Sequence, residues 1–443
     1  MRKFVFTICC FIFVLTFIPT HSNAGPKHPL GLSTASQVEK SEKNVKSRLQ
    51  KLIDNTESGG TLLLEGRVYR GSLVISKPIT IEGVEGTEIH SISTVLTISD
   101  TENVEVNNIV FQAEDISIFA DNVKNLSLKN IQIEESKQGI KITNSENIRL
   151  EHVNIIGNNG HFSTKGHAIA IYKSKKIEAI DSYIDGMMDG FYLESVSDIV
   201  LSENLIQNSR YAMHIMYGED VELLNNEVFN NMTGFMVMIA ENVQIFNNIV
   251  ARNNTLNSLG VYVYDVRNVI FENNKLNENT TAMDVQNARE MNITRNLFST
   301  NGTVLQVRQS GDVLVHRNEF HGNILAARTD QQGIQLKSNY YDDYNGKDYD
   351  GDGIGDTPYI ATNSFGQWMV RKPVYQYFME SPSVVTLNMM DTEVTGNNML
   401  VVVDEQPTML KNQINLDLKI HIWQLLTSSS LIIGAFIVRR KLK

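Results

Sequence analysis

The amino-acid sequence predicts an all-β solenoid, a right-handed parallel β-helix with coils of about 22 residues. Apolar-x-apolar segments recur along the chain, and the steps between their first residues are 22, 22, 29, 22, 22, 22, 26, 22, 22 and 21 residues. Within the segments, apolar and polar residues alternate with the period of a strand and not with the 3.6-residue period of a helix. Coils of this length leave no room for a helix between strands, so short strands joined by turns should stack coil on coil. The segments begin at Val104, Leu126, Ile148, Ile177, Ile199, Val221, Val243, Val269, Met291, Val313 and Ile334.

Equivalent residues of successive coils should form columns, spaced by the ~4.8 Å that separates neighbouring strands. Three apolar columns are expected in the core. A column of asparagines is expected at a turn, because asparagine tolerates left-handed backbone and its amide can bond along the stack. The apolar columns are Ile199, Val221, Val243, Val269, Met291, Val313; Leu201, Leu223, Ile245, Phe271, Ile293, Val315; and Ile206, Val228, Val250, Leu276, Phe298, Phe320. The asparagine column is Asn204, Asn226, Asn248, Asn274, Asn296, Asn318 and Asn339.

The solenoid is expected to span residues 59–340. Residues 25–58 are interpreted as a linker and a capping helix, because Val38–Asp54 has the apolar spacing of a helix and solenoids need covered ends. After residue 340 the period is lost, so residues 341–411 are interpreted as a C-terminal cap and linker.

Both termini carry apolar segments that predict export and a membrane tether. Residues 1–24 have the basic start, short apolar run and small-residue end of a signal peptide. Residues 412–443 contain the apolar stretch Ile420–Val438 and then a basic tail, which predicts a transmembrane helix with the body outside the cytoplasm, in the periplasm or on the outer face. The two cysteines, Cys9 and Cys10, lie in the signal segment, so a soft-metal site in the mature chain would use Met and His.

The charge balance argues against a nucleic-acid partner. Between the two charged termini the chain has 33 basic and 50 acidic residues, a net charge of −17. Such a surface repels phosphate backbones and anionic lipids and tolerates cations.

One outward strand of each coil carries Met, Tyr and His, where exposed strand positions usually carry polar residues. Two neighbouring outward columns are predicted: Tyr192, His214, Met236, Tyr262; and Glu194, Met216, Met238, Tyr264. The residues expected to cluster on two adjacent coils are His214, Met216, Met236 and Met238. Thioether and imidazole ligands together suit Cu(I), so copper, held transiently, is one interpretation of this cluster.

Partner docking is the other interpretation of this surface, since methionine is an adaptable filler at binding faces. The two interpretations are compatible. The residues assigned to docking are Met188, Tyr192, Arg210, Met232, Tyr262 and Tyr264.

Two further segments invite a metal hypothesis. His161 and His167 lie in a seven-residue expansion of one coil, and they are either ligands or ordinary loop histidines. An Asp/Gly run places Asp348, Asp350, Asp352 and Asp356 at the first, third, fifth and ninth positions of a calcium-type loop, but Tyr359 stands where the usual Glu would be. A calcium-stabilised turn and a metal-free turn are both open, and in either case the run is interpreted as structural.

Four segments carry a family resemblance: Lys165-Gly-His-Ala-Ile, Asp189-Gly-Phe-Tyr192, Arg210-Tyr-Ala-Met-His-Ile-Met-Tyr217 and the run from Tyr340 to Tyr359. Over roughly residues 38–375 the chain resembles the NosD family of nitrous oxide reductase maturation proteins, within the wider group of pectin-lyase-like β-helices that bind or cleave carbohydrates. The resemblance implies an extracytoplasmic partner of an ABC-type transporter, with permease and ATPase, that helps a copper chaperone supply nitrous oxide reductase. The C-terminal anchor departs from the soluble periplasmic members.

The sequence thus predicts a scaffold and not an enzyme. The alternative is a surface polysaccharide lyase, epimerase or hydrolase, or a non-catalytic glycan-binding β-helix in which tyrosines stack on sugars. Catalysis would need paired carboxylates or a carboxylate with a basic residue in a groove. The outward columns offer only Glu194 and Asp284 as acidic candidates, several coils apart.

Overall fold

The computed structural model is a parallel β-solenoid. It describes residues 47–158, 160–330, 333–361 and 402–411, with scattered positions between 374 and 387. Every predicted repeat anchor pairs in parallel register with the anchor of the next coil, from Val104↔Leu126 to Val313↔Ile334. The predicted parallel β-helix of about 22-residue coils is therefore confirmed.

The described strands of the solenoid pair in parallel with their equivalents in neighbouring coils, and the short strand Tyr359–Ile360 pairs antiparallel with the strand Val403–Asp404. They are β1 Thr61–Leu64, β2 Val68–Arg70, β3 Leu73–Ile75, β4 Ile79–Gly83, β5 Glu88–Ser91, β6 Leu96–Ala113, β7 Ile116–Glu134, β8 Gln138–Thr143, β9 Glu146–Ile156, β10 Ile169–Tyr172, β11 Lys175–Ile180, β12 Tyr183–Asp185, β13 Asp189–Ser202, β14 Leu205–Gln207, β15 Tyr211–Leu224, β16 Glu227–Phe229, β17 Thr233–Phe246, β18 Ile249–Ala251, β19 Leu259–Glu272, β20 Lys275–Asn277, β21 Thr281–Gln286, β22 Arg289–Thr294, β23 Leu297–Ser299, β24 Thr303–Arg308, β25 Gly311–His316, β26 Glu319–His321, β27 Leu325–Thr329, β28 Ile334–Lys337, β29 Tyr340–Tyr341, β30 Tyr359–Ile360 and β31 Val403–Asp404.

The three predicted apolar columns form the core. Their members are all buried, and the most exposed of them is Phe320 at 3%. A fourth inward column comes from the same strands that carry the outward Met, Tyr and His residues, because successive residues of a strand point to opposite sides of the sheet. It contains Ile140, Ile169, Phe191, Met213, Phe235, Val261, Met283 and Leu305, all without exposed surface.

The asparagine column is a buried ladder. Asn226 donates its backbone N–H and its side-chain amide to Asn248 Oδ1, at 2.8 and 3.0 Å, and the same pattern repeats along the stack. The ladder residues themselves do not have positive φ, contrary to the expectation that asparagine serves here because it tolerates left-handed backbone. The left-handed position is the residue before each ladder asparagine, such as Asn225 at φ 55° and Asn247 at φ 58°. The ladder asparagines serve as hydrogen-bond donors and acceptors.

At the N-terminal side, helix α1 spans Arg48–Asn55 and buries Leu49 and Ile53. The Gln50 side chain accepts from the backbone N–H of Val74 and donates to its carbonyl, which joins the helix to β3. The predicted capping helix was longer, and its residues 38–46 lie outside the described residues, as do the signal segment 1–24 and the apolar stretch Ile420–Val438. In the part of the chain that the structure describes, no helix is long and apolar enough to cross a membrane.

At the C-terminal side, the asparagine ladder ends on a carboxylate. Strand β31 pairs with β28 through Leu336↔Asp404. Asp404 is fully buried, and its Oδ2 accepts from the backbone and side-chain amides of Asn339 at 3.0 and 2.9 Å. Asp404 occupies the place of the next ladder asparagine and leaves no ladder donor unpaired at this end.

Candidate functional site

The four residues proposed for a soft-metal cluster are neighbours across two coils. Strands β15 and β17 pair His214 with Met236 and Met216 with Met238. The next strands extend these columns to Tyr192 and Glu194 on one side and to Tyr262 and Tyr264 on the other. We call His214, Met216, Met236 and Met238 the Met/His face. Its three methionines are half-buried.

Small residues allow the coils of this face to stack closely. The second residues of the face strands β13, β15 and β17 are Gly190, Ala212 and Gly234. A Cβ added at Gly190 would lie 2.5 Å from the carbonyl oxygen of Ala212 on the next coil, so a larger residue would push the coils apart. This packing holds the face strands in register.

His214 is buried, although its column was expected to be exposed. Only 8% of the residue is accessible. The ring of Tyr192 meets its ring edge-on at 4.9 Å, and the ring of Tyr211 does the same at 5.1 Å. These aromatic neighbours cover the imidazole, and they come from the adjacent coil and from the start of its own strand.

A buried carboxylate lies behind this imidazole. Asp189, at the start of β13, has no exposed surface. Arg210 binds it as a fork, with Nε 2.9 Å from Oδ1 and an Nη nitrogen 2.8 Å from Oδ2. His214 Nδ1 makes a hydrogen bond of 3.3 Å to Oδ2. We call Asp189, Arg210, His167 and His214 the Asp189 cluster.

His167 comes from the expanded loop and closes the cluster on the side of the preceding coil. Its Nδ1 lies 3.2 Å from Asp189 Oδ2, at an angle that does not make a hydrogen bond. Its ring stacks on Tyr192 at 4.5 Å between centroids. Of the two loop histidines, His161 is exposed and bonds locally to Ser163, so the structure brings only His167 to the cluster.

Burial raises the pKa of a carboxyl group, and Asp189 is fully buried. The two imidazoles and the Arg210 guanidinium outweigh that effect and hold the pKa of Asp189 well below its usual range. The carboxylate is therefore ionised throughout the physiological range.

Tyr192 joins the cluster to the methionines. Its hydroxyl donates to Glu194 at 2.8 Å and lies 3.9 Å from the Met216 sulfur. Burial, together with the nearby Glu194 carboxylate, raises the pKa of Tyr192, so the phenol stays protonated. The hydroxyl is a donor here and not a base.

The donor set fits a soft monovalent metal. His214 Nε2 is buried and has no hydrogen-bond partner. A buried polar atom without a hydrogen-bond partner lowers the stability of the fold by about 1–3 kcal/mol. Such atoms are uncommon in native proteins, and a bound ligand is one way to satisfy them. Three thioethers lie on the same two coils, and thioether with imidazole is a donor set that Cu(I) accepts.

Two expanded loops bracket this part of the solenoid. Both lie at the turn that leads into a face strand, at residues 157–168 before β10 and 252–258 before β19. The three coils between them have short turns at 186–188, 208–210 and 230–232. Four strand steps separate β10 from β19, about 19 Å. The second loop carries Leu256, 79% exposed. The Met/His face thus lies on the three coils between the two expanded loops, a stretch of the solenoid that we call the notch.

The residues assigned to docking lie around this notch, and two of them, Arg210 and Tyr192, take part in or pack against the Asp189 cluster. Arg210 is the fork on Asp189, and its guanidinium lies 4.4 Å over the Tyr211 ring. Tyr192 is packed between two histidines. Met232 is 37% exposed. The remaining three, half-buried, are Met188, Tyr262 and Tyr264.

A second buried carboxylate lies farther along the same column. Asp284 is paired in register with Tyr262 and is 5% exposed. One Nη nitrogen of Arg308 reaches both of its oxygens at 2.9 Å, and Gln306 donates at 2.7 Å. Burial raises the pKa of Asp284, and the neighbouring arginines only partly oppose it.

The Asp/Gly run folds on its own amides. Asp348 accepts from Gly351 and Gly353 at 2.7 and 2.9 Å, and Asp356 accepts from the Tyr349 N–H at 2.6 Å. The carboxylates of Asp348, Asp350 and Asp356 approach one another within 4.8 Å, but they are mostly exposed. The calcium interpretation is therefore not supported, since the backbone amides already account for this turn.

Sequence reasoning missed Asp189 as a site residue, and it considered His167 only as a possible loop ligand apart from the Met/His face. The strand register could have revealed them. Ile169, Phe191 and Met213 are aligned in successive coils. The residues two positions before them are His167, Asp189 and Tyr211, which therefore also form a column. Read as a column, a histidine and an aspartate next to Arg210 would have indicated a charged cluster beside the methionines. The expected lack of a carboxylate with a basic residue on this face was wrong.

Residues 151–367 match the family model described as "Periplasmic copper-binding protein (NosD)". This match covers just under half of the chain, and it shows that the matched region, called the NosD region below, is similar to the NosD family. The NosD region contains the Asp189 cluster, the whole Met/His face and the Asp284 pair. No curated protein sequence matches the chain.

Solved structures with a similar course of the chain are β-helices of diverse roles. The adhesin PfbA of Streptococcus pneumoniae has a TM-score of 0.47 at 11% identity, covering 67% of this chain and 97% of its own. A family 28 exopolygalacturonase of Yersinia enterocolitica scores 0.45 at 9% identity and covers 66% and 74%. The A-module of the Azotobacter vinelandii mannuronan C-5 epimerase AlgE6 scores 0.45 at 15% identity and covers 66% and 87%. Likenesses of this order assign no activity to the NosD region.

Proposed function

We propose that this chain is a non-catalytic extracytoplasmic accessory protein that holds Cu(I) in passing on its Met/His face, during assembly of the copper site of nitrous oxide reductase. The observation that carries the proposal is the buried, unpartnered Nε2 of His214, in register with Met236 and beside two further methionines. The match of residues 151–367 to a family model described as periplasmic and copper-binding supports it.

The donor atoms of the face suit transient binding of Cu(I) and not a permanent copper site. Thioethers are neutral, weakly basic donors, so a Cu(I) ion bound by them and one imidazole keeps its charge and leaves readily for a thiolate or a richer histidine site. The half-buried sulfurs are reachable from the notch between the two expanded loops. A copper carrier could therefore approach the ion without opening the solenoid.

The partners we propose are a copper carrier or the reductase at the notch and an ABC-type transporter elsewhere on the solenoid. Met232 and Leu256 are exposed apolar residues at the edge of the notch and would contact the carrier. The apolar stretch Ile420–Val438, which lies outside the described residues, would tether the chain near the transporter.

The test is a competitive Cu(I) titration of the full-length chain under anaerobic conditions. In the variant Met216→Leu/Met236→Leu/Met238→Leu, leucine keeps the volume and removes the sulfur, so the fold should persist. We expect the Cu(I) affinity to fall by roughly 100-fold or more. Met409→Leu removes an exposed sulfur far from the face and should change nothing. Equal affinities in the triple variant and the wild type would overturn the proposal.

One observation favours a second candidate, a polysaccharide-active β-helix: a carboxylate, an arginine, two histidines and a tyrosine meet on one face. Against it, both oxygens of Asp189 are engaged and the group has no exposed surface, and the Arg210 fork is already filled. Neither group is available to a sugar carboxylate. We expect no change in chain length or epimer content when alginate or polygalacturonate is incubated with the protein, and turnover abolished by Arg210→Ala would favour this candidate.

A further inference from the structure

The Asp189 carboxylate is held rigidly with one oxygen directed at an imidazole. Oδ1 is occupied by Arg210 Nε, and Oδ2 accepts from an Arg210 Nη nitrogen and from His214 Nδ1. The residue begins strand β13, and its carbonyl accepts from the backbone N–H of Ala168 at 2.9 Å. Backbone and side chain are therefore both fixed before any metal arrives.

This carboxylate decides which nitrogen of His214 carries the proton. An ionised carboxylate only accepts hydrogen bonds, so the ring nitrogen that faces it must be protonated. Nδ1 faces it, which leaves Nε2 of the neutral ring with its lone pair free. Nε2 is the buried atom that has no partner in the structure.

Two aromatic rings fix the plane of the imidazole. Tyr192 and Tyr211 meet it at interplanar angles of 89° and 81°. Tyr211 is itself covered by the Arg210 guanidinium. The two tyrosines, which contact members of the Asp189 cluster, thus restrict rotation of the imidazole about its side-chain bonds.

We propose that Asp189, held by Arg210, is a positioning residue that fixes His214 in its Nδ1–H tautomer and keeps Nε2 ready as a metal-binding atom beside the methionines. The inference rests on the proposed function of the Met/His face and adds the group that prepares it. Such carboxylate–histidine pairs commonly orient metal-binding imidazoles, and their loss costs about 10–100-fold in metal affinity. Arg210 thereby has an internal role in the site, beyond the docking role expected from its place in the sequence.

The discriminating variant is Asp189→Asn. An amide has one accepting oxygen, and Arg210 provides a fork of donors that would take it, so the NH₂ group would face His214 Nδ1. Nδ1 would then have to accept, and the proton would move to Nε2. The same substitution at Asp284, a buried carboxylate of the same face that contacts Arg308 and no histidine, is the matched control.

The first measurement is the ¹⁵N spectrum of the metal-free, histidine-labelled full-length chain at a pH that keeps imidazoles neutral. Wild type and Asp284→Asn should show His214 with a protonated Nδ1 and an unprotonated Nε2, and Asp189→Asn should show the reverse. The His214→Gln variant assigns the signals. The wild-type spectrum alone is decisive if Asp189→Asn does not fold, since a protonated Nε2 in the wild type overturns the proposal.

The second measurement is the Cu(I) titration of the same three proteins. Asp189→Asn should bind at least tenfold more weakly than wild type, and Asp284→Asn should be unchanged. An unaltered affinity or tautomer in a folded Asp189→Asn variant overturns the positioning role. A wild-type chain with the expected tautomer and no Cu(I) binding overturns the proposed function instead, so the two failures are distinguishable.

Discussion

Asp189 and Asp284 are two buried aspartates on the same face of the solenoid, each paired with an arginine, and their acidities move in opposite directions. The pKa of Asp189 lies well below its usual range, and that of Asp284 is raised. Burial acts in the same sense on both, because it disfavours the charged form. The difference must therefore come from the donors that surround each carboxylate.

The geometry of the arginine pairs accounts for much of the difference. Arg210 places two nitrogens on two separate oxygens, whereas Arg308 offers one nitrogen to both oxygens and leaves its buried Nε without a partner. Fork-shaped pairs are the stronger kind. Asp189 also has two imidazoles close by, whereas Asp284 accepts from the Gln306 amide and has the charge of Arg328 nearby. A buried Asp–Arg contact alone does not determine the charge state.

The comparison also indicates different roles for the two ends of the face. The ionised Asp189 contacts His214, the one histidine of the Met/His face. Asp284, whose charged form is disfavoured, lies next to Tyr262 at the other end. A metal-binding imidazole needs a firm acceptor behind it. The Asp189 end of the face meets that condition, and the Asp284 end contains no histidine.

The largest expected effect is on stability. Asp189→Ala leaves Arg210 partly buried without its partner, and removing one member of a buried pair costs about 3–5 kcal/mol. Asp284→Ala should cost about 1 kcal/mol or less, because Arg308 is 40% exposed and is readily hydrated. Guanidinium unfolding followed by circular dichroism gives both values. Equal losses would mean that the two pairs do not differ as their geometry indicates.

The pH dependence should differ in sign. A carboxylate with a lowered folded-state pKa stabilises the fold above its unfolded value of ~3.9 and loses that contribution as the pH falls below it. For Asp189, the stability advantage of wild type over Asp189→Asn should therefore shrink on acidification. A raised pKa acts in reverse, so wild type should lose stability relative to Asp284→Asn as the pH rises above ~3.9.

Thermal unfolding midpoints of the three proteins, measured in steps from acid to neutral pH, give these differences directly. For each variant, the difference between its midpoint and that of wild type is plotted against pH. The two resulting curves should have slopes of opposite sign. Curves that run parallel would contradict the assignment of opposite pKa shifts to Asp189 and Asp284.

The smallest effect is expected from arginine-to-lysine changes. Arg210→Lys loses the two-nitrogen fork and should cost about 1–2 kcal/mol, since lysine offers a single ammonium. Arg308→Lys replaces a one-nitrogen contact and should stay within about 0.5 kcal/mol of wild type. Hydrogen exchange of the amides of β13 and β15, compared with those of β21 and β24, would localise each loss. A greater loss at Arg308 would reverse the comparison.

Much of the solenoid was predictable because its contacts repeat. A fixed step along the chain sets which residues are neighbours, so the core columns, the asparagine ladder and the pairs His214–Met236 and Met216–Met238 follow from the register. The copper hypothesis for the Met/His face arose from that register alone. The calcium hypothesis arose from local spacing and is not supported, because a spacing motif does not reveal that backbone amides already bind the carboxylates.

The sequence by itself determined the period, the fold and the composition of the outward columns, since stacking energy depends only on residues one coil apart. The tertiary structure decided three things: that His167 of an expanded loop closes on Asp189, that Arg210 turns inward, and that Asp404 ends the ladder. Each of these depends on the path of a loop or the rotamer of a long side chain outside the repeat. Periodicity places backbones, and it leaves to three-dimensional packing which charged groups meet in the interior.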